Sequence, residues 1–573
     1  MIPKSIHEFV KKVVNGKHSK QPKPIQDRQA NVLSIIKTLV SGKTATGSGV
    51  ITKREVKGVS TKDSGKDKTL IKFSVSDGEN TVNCVAHNCN EKYGLGTGLT
   101  ADVLTAYDDI IRKSLAEGAP IKIKGLYANF KADRIFVLDK MEWAEDVHKS
   151  QIADEVVTEF VKLCKKENTT PLEVMMDDTG LWAEIYADDD LKKAILLYCL
   201  SPFEKEDMIH IGLITNPGEG KNHLVDKVIM PLVRCRMAGT GKLSTFAAMF
   251  GAMSSDDLNS IELGLLPKMH HDRIVFSEFQ TLEEDVFGEM LNVMTDGHYN
   301  IQKGKMDVTR HAMLNMAFFG NPPKYWNADD HKKEEMLAAF GKYTMAIISR
   351  LTLIFAKPTL SKGENASEMI KDKILENMDK TVAKGTNKEE IATLRKFCRE
   401  YLKCVSRYQP KLGVWKGTIQ SEFDEIEKMD EFKIAFAKRG KTDYRKWAEF
   451  LNLIKGFARL NGRTNLSIED VASARDIFLD SLETLTKNFP RKAMDMGLNY
   501  QQLELHKQIL KRFGDGTGQA SGSRKELERF ASSSKRRIQW DELCKIKLPD
   551  GSMLIEDFKG TLIIKDNLSE GSP

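Results

Sequence analysis

The sequence predicts a multidomain α/β chain: a small five-stranded barrel, then a P-loop nucleotide-binding core, with a winged-helix module at the end. Three patterns predict it. Between residues 49 and 150 lie five short strands with a helix before the fourth, the pattern of an OB-fold. The apolar run MIHIGLI passes straight into the loop TNPGEGKN and the helix HLVDKVIMPLV, a strand–loop–helix context that suits a phosphate-binding loop. Residues 500–573 read as three helices followed by two strands, the order of a winged helix. A length of 573 residues accommodates three to five domains at about 150 residues each.

Composition narrows the classes. A hydrophobic share of 41% with 40 Gly and 16 Pro excludes collagen-like and wholly disordered chains. No apolar run approaches a membrane span, and MIPKSIHEFVKKVV has no signal-peptide core. Eight scattered cysteines do not make a disulfide scaffold, so the expected compartment is a reducing cytoplasm. The net charge of +6 names no partner, but it is unevenly spread. Residues 1–72 carry 16 Lys/Arg against 5 Asp/Glu, and a second basic cluster runs from Arg524 to Arg537. Each cluster alone reads as a solvated face; two basic ends around a near-neutral middle suit terminal modules that touch phosphates.

The barrel strands are GVITKREVKGV, KTLIKFSVSD, NTVNCVAHN, PIKIKGLYANF and RIFVLDKMEW. Lys53, Arg54, Lys72, Lys122 and Lys124, read as solvent-facing, with Phe73 and Tyr127 nearby, would offer charge and stacking surfaces to a nucleic-acid strand. The alternative is a structural barrel whose aromatics fill the core. Cys84, His87 and Cys89 suggest a metal, but no second CxxC pair follows, and three ligands inside one strand suit a tetrahedral site poorly. Zinc is therefore not expected. Cys164 and Cys199 lie on apolar helix faces and read as core.

In the loop after MIHIGLI, Pro217, Gly218, Glu219, Gly220, Lys221 and Asn222 are the candidate ATP-binding residues. Gly218 and Gly220 let backbone N–H groups curl around phosphate oxygens at a helix N-terminus, and Lys221 would reach the β- and γ-phosphates. Against GxxxxGK[ST], Thr215 replaces the first Gly and Asn222 the Mg²⁺-binding Ser/Thr. Gly239-Thr240-Gly241-Lys242 has Arg236 where the first Gly belongs and reads as a decoy. RIVFSEF ends an apolar strand in Ser277 and Glu278. Glu278 would polarise the attacking water, with Ser277 where an Asp would normally hold Mg²⁺. Asn321 follows the strand MLNMAFFG, and Arg350 precedes TLIF; the amide would orient water and the arginine would reach a neighbour's γ-phosphate. The Gly/Ser-rich stretch 513–523 reads as a loop, and the final two strands as flanking Asp550-Gly551.

In order along 184–475, these motifs resemble the minichromosome maintenance (MCM) family, AAA+ replicative helicases of archaea and eukaryotes. IYADDDLKKAILL is similar to the helix entering the family's ATPase core, TNPGEGKN to its Walker A, AGTGKLST to the segment that follows, and RIVFSEFQTL to its Walker B. YNIQKGKM resembles the presensor hairpin with its lysine at Lys303, FFGNP sensor 1, and ISRLTLIF the arginine-finger segment. LRKFCREYLKCVSRYQPKL and FLNLIKGFARLNGRTNLSIEDV resemble the lid helices. The family's sensor-2 arginine falls on Ala448, with Arg445 and Lys446 one turn earlier as substitutes, and its zinc ribbon has no counterpart.

The resemblance implies a homo-hexameric ring threading single- and double-stranded DNA, using ATP and Mg²⁺. Lys221, Glu278 and Asn321 would act in cis, Arg350 in trans, and Lys303 would press on the DNA backbone; a replication initiator or loader is a further expected partner. Asn222 and Ser277, the residues left to hold Mg²⁺, raise the alternative of an inactive MCM-like DNA-binding ring or adaptor. The expected layout is a basic helical segment at 1–48, the OB-fold at 49–150, a helical linker at 151–200, the AAA+ core at 201–360, its lid at 361–490 and the winged helix at 495–573.

Overall fold

The computed structural model describes residues 2–20, 25, 44–59, 68–76, 81–88, 99–117, 120–130, 133–143, 150–239, 245–253, 261–279, 282, 284–303, 306–321, 347–356, 385–436, 444–486, 500–514, 519–530, 540–541, 543–546, 553–558 and 561–565. Strands β1 (Thr44–Val59), β2 (Lys68–Ser76), β3 (Thr81–His87), β4 (Pro120–Phe130) and β5 (Asp133–Trp143) close a barrel in the order β1-β2-β3-β5-β4. Helix Ala101–Glu117 lies between β3 and β4 and packs on β1. The barrel thus begins five residues earlier than its sequence pattern implies.

Two barrel residues differ from expectation. Arg54 is 4% exposed, and its guanidinium donates to both carboxylate oxygens of Asp108 at 2.7 and 2.8 Å. Phe73 is buried in the core. Phe73 follows the regular alternation of β2 with Ile71 and Val75; for Arg54 there is a register shift in the β1–β2 ladder between Ile51 and Lys53. Such a bulge changes which face later residues present, and here it turns Arg54 toward helix Ala101–Glu117. Burial opposes ionisation of Asp108, yet its bonds to Arg54 and Arg112 prevail and hold it below the usual carboxylate range. Lys122 and Lys124 are exposed on β4 and Lys72 is half-buried; the side chains of Lys53 and Tyr127 lie outside the described residues. Cys84 and His87 are both buried, and Cys89 is outside the described residues.

The central sheet is parallel: β6 (Ile211–Ile214), β7 (Cys235–Gly239), β10 (Asp272–Ser277), β13 (Leu314–Gly320) and β14 (Leu353–Ala356), in the order β14-β6-β13-β10-β7. Its strands are near-continuous apolar runs because both faces are covered; all seven residues of β13 are buried. Two hairpins accompany it: β8 (Gly251–Met253) with β9 (Ile261–Leu263), and β11 (His298–Lys303) with β12 (Met306–His311).

Helices Gly385–Val405, Lys416–Lys428, Asp430–Phe436, Tyr444–Leu460 and Ile468–Thr486 follow the sheet. Their joint with it is ionic and buried. Asp207, just before β6, takes hydrogen bonds from Lys455 at 2.8 Å and Arg459 at 2.5 Å. Arg459 is fully buried and also donates to the Tyr408 carbonyl at 2.7 Å. Burial works against a charged Asp207, but these bonds outweigh it and keep its carboxyl low.

The N-terminal segment does not stand apart. Helix Lys4–Val14 buries Ile6, Val10, Val13 and Val14 and packs on helices Gly385–Val405 and Asp154–Lys166, with Phe9 stacked on Phe160 at 6.0 Å. Lys4, Lys11, Lys12 and Lys17 remain on the exposed face, whereas His18 and Lys20 both reach Glu159.

The C-terminal module has its own core of Leu505, Ile509, Leu527, Trp540, Leu543, Leu554 and Ile564, among others. Helix Tyr500–Phe513 is followed by β15 (Gln519–Ser523), helix Arg524–Phe530, β16 (Ile555–Phe558) and β17 (Thr561–Lys565). Residues 519–523 are therefore a strand, paired with β17, rather than loop; alternate residues of QASGS bury only small side chains, which hides a strand from a hydrophobicity pattern. The final strand pair flanks 559–560 instead of 550–551. No helix among the described residues is long and apolar enough to cross a membrane.

Removing one partner of the buried Asp207–Arg459 pair strands a charge. Asp207→Ala is expected to lower unfolding free energy by about 3–5 kcal/mol, read as a reduced urea midpoint.

Candidate nucleotide site

The chain leaves β6 at Ile214 and turns through Thr215–Gly220 into helix Lys221–Leu224. Thr215 and Asn216 are buried, and the Thr215 N–H donates to the Gly320 carbonyl at 3.2 Å, tying the loop to the end of β13. Gly218 and Gly220 have φ of +88° and +81°, and a Cβ on either would meet nothing within 4 Å. Backbone conformation, not crowding, therefore requires glycine at both. The open space beside them at a helix start fits a phosphate. The helix continues as a π-helical stretch, Val225–Ile229, and ends at Met230–Leu232; Pro231, lacking an N–H, cannot close a regular turn there.

Lys221 is the centre of the site. Its ammonium donates to the carbonyls of Thr215 and Asn216, each at 3.0 Å, and to Oδ1 of Asn321 at 2.5 Å. Burial pushes its pKa down to about 8, against the pull of Glu219 and Glu278. Glu219 is itself raised by burial, opposed by Lys221.

Asn321 follows Gly320, which pairs with Ile214 across β13 and β6, so the amide lies beside the loop. Gly320 has no substitute without rearrangement, since a Cβ there would come within 2.4 Å of the Phe279 ring. One strand further on, β10 ends at Ser277 and Glu278 enters the left-handed region with φ of +59°. A non-glycine residue held there stores roughly 1–3 kcal/mol of strain; its N–H donates to the Phe319 carbonyl at 2.9 Å, and its side chain is exposed. Ser277 Oγ donates to the Ala238 carbonyl at 3.4 Å.

Lys221, Asn321, Ser277 and Glu278 thus all stand at the carboxyl end of the sheet, where open α/β sheets hold their ligands. Pro217, Gly218 and Asn222 are exposed there. The phosphate-binding features fit a nucleotide. The Mg²⁺ donors are thinner: an exposed amide at Asn222 and a hydroxyl at Ser277 that is turned toward β7. Among the described residues there is no cluster of three or more His, Cys, Asp or Glu suited to a metal ion.

Arg350 lies elsewhere. It precedes β14, whose first residue, Leu353, pairs with Ile211 at the start of β6; Arg350 is at the amino end of the sheet, opposite the loop. Its Nε donates to Thr295 Oγ1 at 2.7 Å and to the Leu291 carbonyl at 3.1 Å, contacts no sequence motif signals. Lys303 is the last residue of β11, opposite Met306, and its side chain lies outside the described residues. Of the two sensor-2 substitutes, Lys446 is buried on Glu449 and the Ile348 and Leu351 carbonyls. Arg445 is exposed and donates to Ser349 Oγ at 3.2 Å. The decoy loop 240–242 lies outside the described residues.

Residues 158–378 match the family model of the MCM P-loop domain. No curated protein matches the chain.

Because the free protein holds Lys221 near pKa 8 and a bound polyphosphate raises it again, binding takes up a proton on the alkaline side. ATP affinity is expected to fall up to about tenfold per pH unit above pH 8, measured by titration calorimetry, with a flatter profile in Lys221→Arg.

Proposed function

From the match of residues 158–378 to the MCM P-loop domain model, we propose that the chain is an MCM-type ATP-driven DNA helicase of DNA replication, working as a hexameric ring. The observation that carries this reading is the bond from Lys221 to Asn321, with Glu278 at the same end of the sheet. It joins the lysine that would bind phosphate to an amide that would orient water. ATP, when bound, supplies the phosphoryl bond to be broken. Pro217–Asn222 would hold its phosphates through backbone N–H groups and the Lys221 ammonium. Glu278 would accept the proton of the attacking water, and Asn321 would orient that water.

Arg350, at the opposite end of its own sheet, would complete the site of a neighbouring subunit, where a cation on the γ-phosphate stabilises developing charge. We read the closed barrel as an OB-fold and the C-terminal module as a winged helix. Lys122 and Lys124, exposed on β4, support a DNA-facing role for the barrel, with Lys303 at the end of its hairpin strand as a contact in the ring channel. Arg54 leaves that set because Asp108 holds it.

The second reading, a ring or adaptor that binds DNA and nucleotide without efficient turnover, rests on the Mg²⁺ donors. Asn222 carries no hydroxyl, and Ser277, whose hydroxyl faces the Ala238 carbonyl, is a neutral ligand where a carboxylate would hold Mg²⁺ by charge. Steady-state ATP turnover with single-stranded DNA separates the two: the helicase requires turnover that Lys221→Ala abolishes, whereas background turnover in the unsubstituted chain decides for the second reading. For the barrel, Lys122→Ala with Lys124→Ala is expected to weaken single-strand binding and reduce the log–log salt slope by about 1.4, two phosphate contacts at about 0.7 each. An unchanged slope removes β4 from the DNA-binding surface.

A further inference from the structure

Arg350 is held by a particular helix. Both of its Nε contacts, Thr295 Oγ1 at 2.7 Å and the Leu291 carbonyl at 3.1 Å, come from the last turns of helix Glu284–Asp296. Burial lowers the guanidinium's pKa, as does Arg445, while Asp296 and Glu449 pull the other way. The arginine is thus fixed between that helix on one side and the lid on the other, where Arg445 grips Ser349.

The same helix runs almost without interval into the hairpin. Only Gly297 separates Asp296 from His298, the first residue of β11. Gly297 has φ of +68°, and an added Cβ would meet Met313 Cε at 3.0 Å. Its N–H donates to the Val293 carbonyl at 2.9 Å, and its carbonyl accepts from the Ala312 N–H at 2.8 Å. The joint is therefore bonded on both sides, so helix end and hairpin root move together. From His298 to Lys303 the strand extends about 17 Å at ~3.4 Å per residue, a lever whose short arm ends at Thr295.

We propose that Thr295 is a positioning residue for Arg350 and couples the β11–β12 hairpin to that arginine. A load on the hairpin tilts helix Glu284–Asp296, shifts the Thr295 hydroxyl, and moves the guanidinium presented to the next subunit. The proposal rests on the reading of Arg350 as a trans-acting residue.

The test is ATP turnover by the full chain, with and without single-stranded DNA, in Thr295→Val, Thr295→Ser and Arg350→Ala, each alone and mixed with Lys221→Ala. Thr295→Val is expected to lower DNA-stimulated kcat about tenfold, the loss of one hydrogen bond to a charged group, with KM for ATP held. Its ratio of turnover with DNA to turnover without should fall, and Thr295→Ser should recover most of both. Mixing Thr295→Val with Lys221→Ala should exceed the sum of the two alone, since Lys221→Ala subunits offer a correctly held Arg350 to intact P-loops. Thr295→Ala carries the same expectations should the valine variant not fold. Undiminished turnover in Arg350→Ala defeats the trans-arginine reading. A collapse in Arg350→Ala with Thr295→Val unaffected, with Thr295→Ser as impaired as Thr295→Val, with an unchanged DNA ratio, or with no gain on mixing overturns the positioning role alone.

Discussion

The nucleotide site depends on one ammonium group and the three oxygens that surround it. Lys221 donates into the carbonyls of Thr215 and Asn216 and into Asn321, which uses all three of its protons. Two acceptors belong to the loop and the third to the end of β13, so the charge fixes the loop against the neighbouring strand. The arrangement also explains the lowered pKa. Three neutral dipoles stabilise a buried cation less well than water does, and a phosphate oxygen would be a better partner. In the proposed reading, the free site would exchange a protein acceptor for a ligand acceptor, and Asn321 would be released to orient water.

A parallel sheet has two chemically distinct ends, and in the proposed reading this chain uses both. Strands β6, β10 and β13 bring Lys221, Glu278 and Asn321 to the carboxyl end, while the turn before β14 holds Arg350 at the amino end. In the ring reading, no rearrangement within one subunit is needed to explain the separation, because one subunit's amino end faces another's carboxyl end. Glu278 and Arg350 are then parts of different sites despite belonging to one sheet. The helices that follow the sheet join this frame through Asp207 and Arg459, a buried pair that breaks at high cost.

Much of the site was legible in sequence because its chemistry is local. A glycine with positive φ, a lysine at a helix start and a carboxylate at a strand end each follow from a few adjacent residues, and Gly218, Gly220, Lys221, Glu278 and Asn321 lie together as their spacing implied. What sequence could not disclose is set by partners far along the chain. Arg54 reads as a surface cation until the bulge at Ile51–Lys53 turns it to Asp108, 54 positions on. Thr295 reads as an ordinary helix residue until Arg350 reaches it, 55 positions on. The amphipathic helix Lys4–Val14 shows that it has a buried face, but not that the face meets helices Asp154–Lys166 and Gly385–Val405. Strand β15 escaped because its buried positions are small, so hydrophobic period carried no signal.

The departures at Asn222 and Ser277 weigh against turnover, and the backbone at Glu278 weighs for it. A residue with a Cβ held at φ of +59° is unfavourable unless its surroundings enforce it. Here the Phe319 carbonyl takes its N–H, and Phe279 is fixed against Gly320, where no side chain fits. Glycine at 278 would relieve the strain at no steric cost, but it would remove a carboxylate that is exposed at the Lys221 end of the sheet. A merely structural turn has no need of that carboxylate. The strain is intelligible if the turn serves to aim a base at the space in front of Lys221, with Ser277 and Asn222 left to hold metal through water rather than directly.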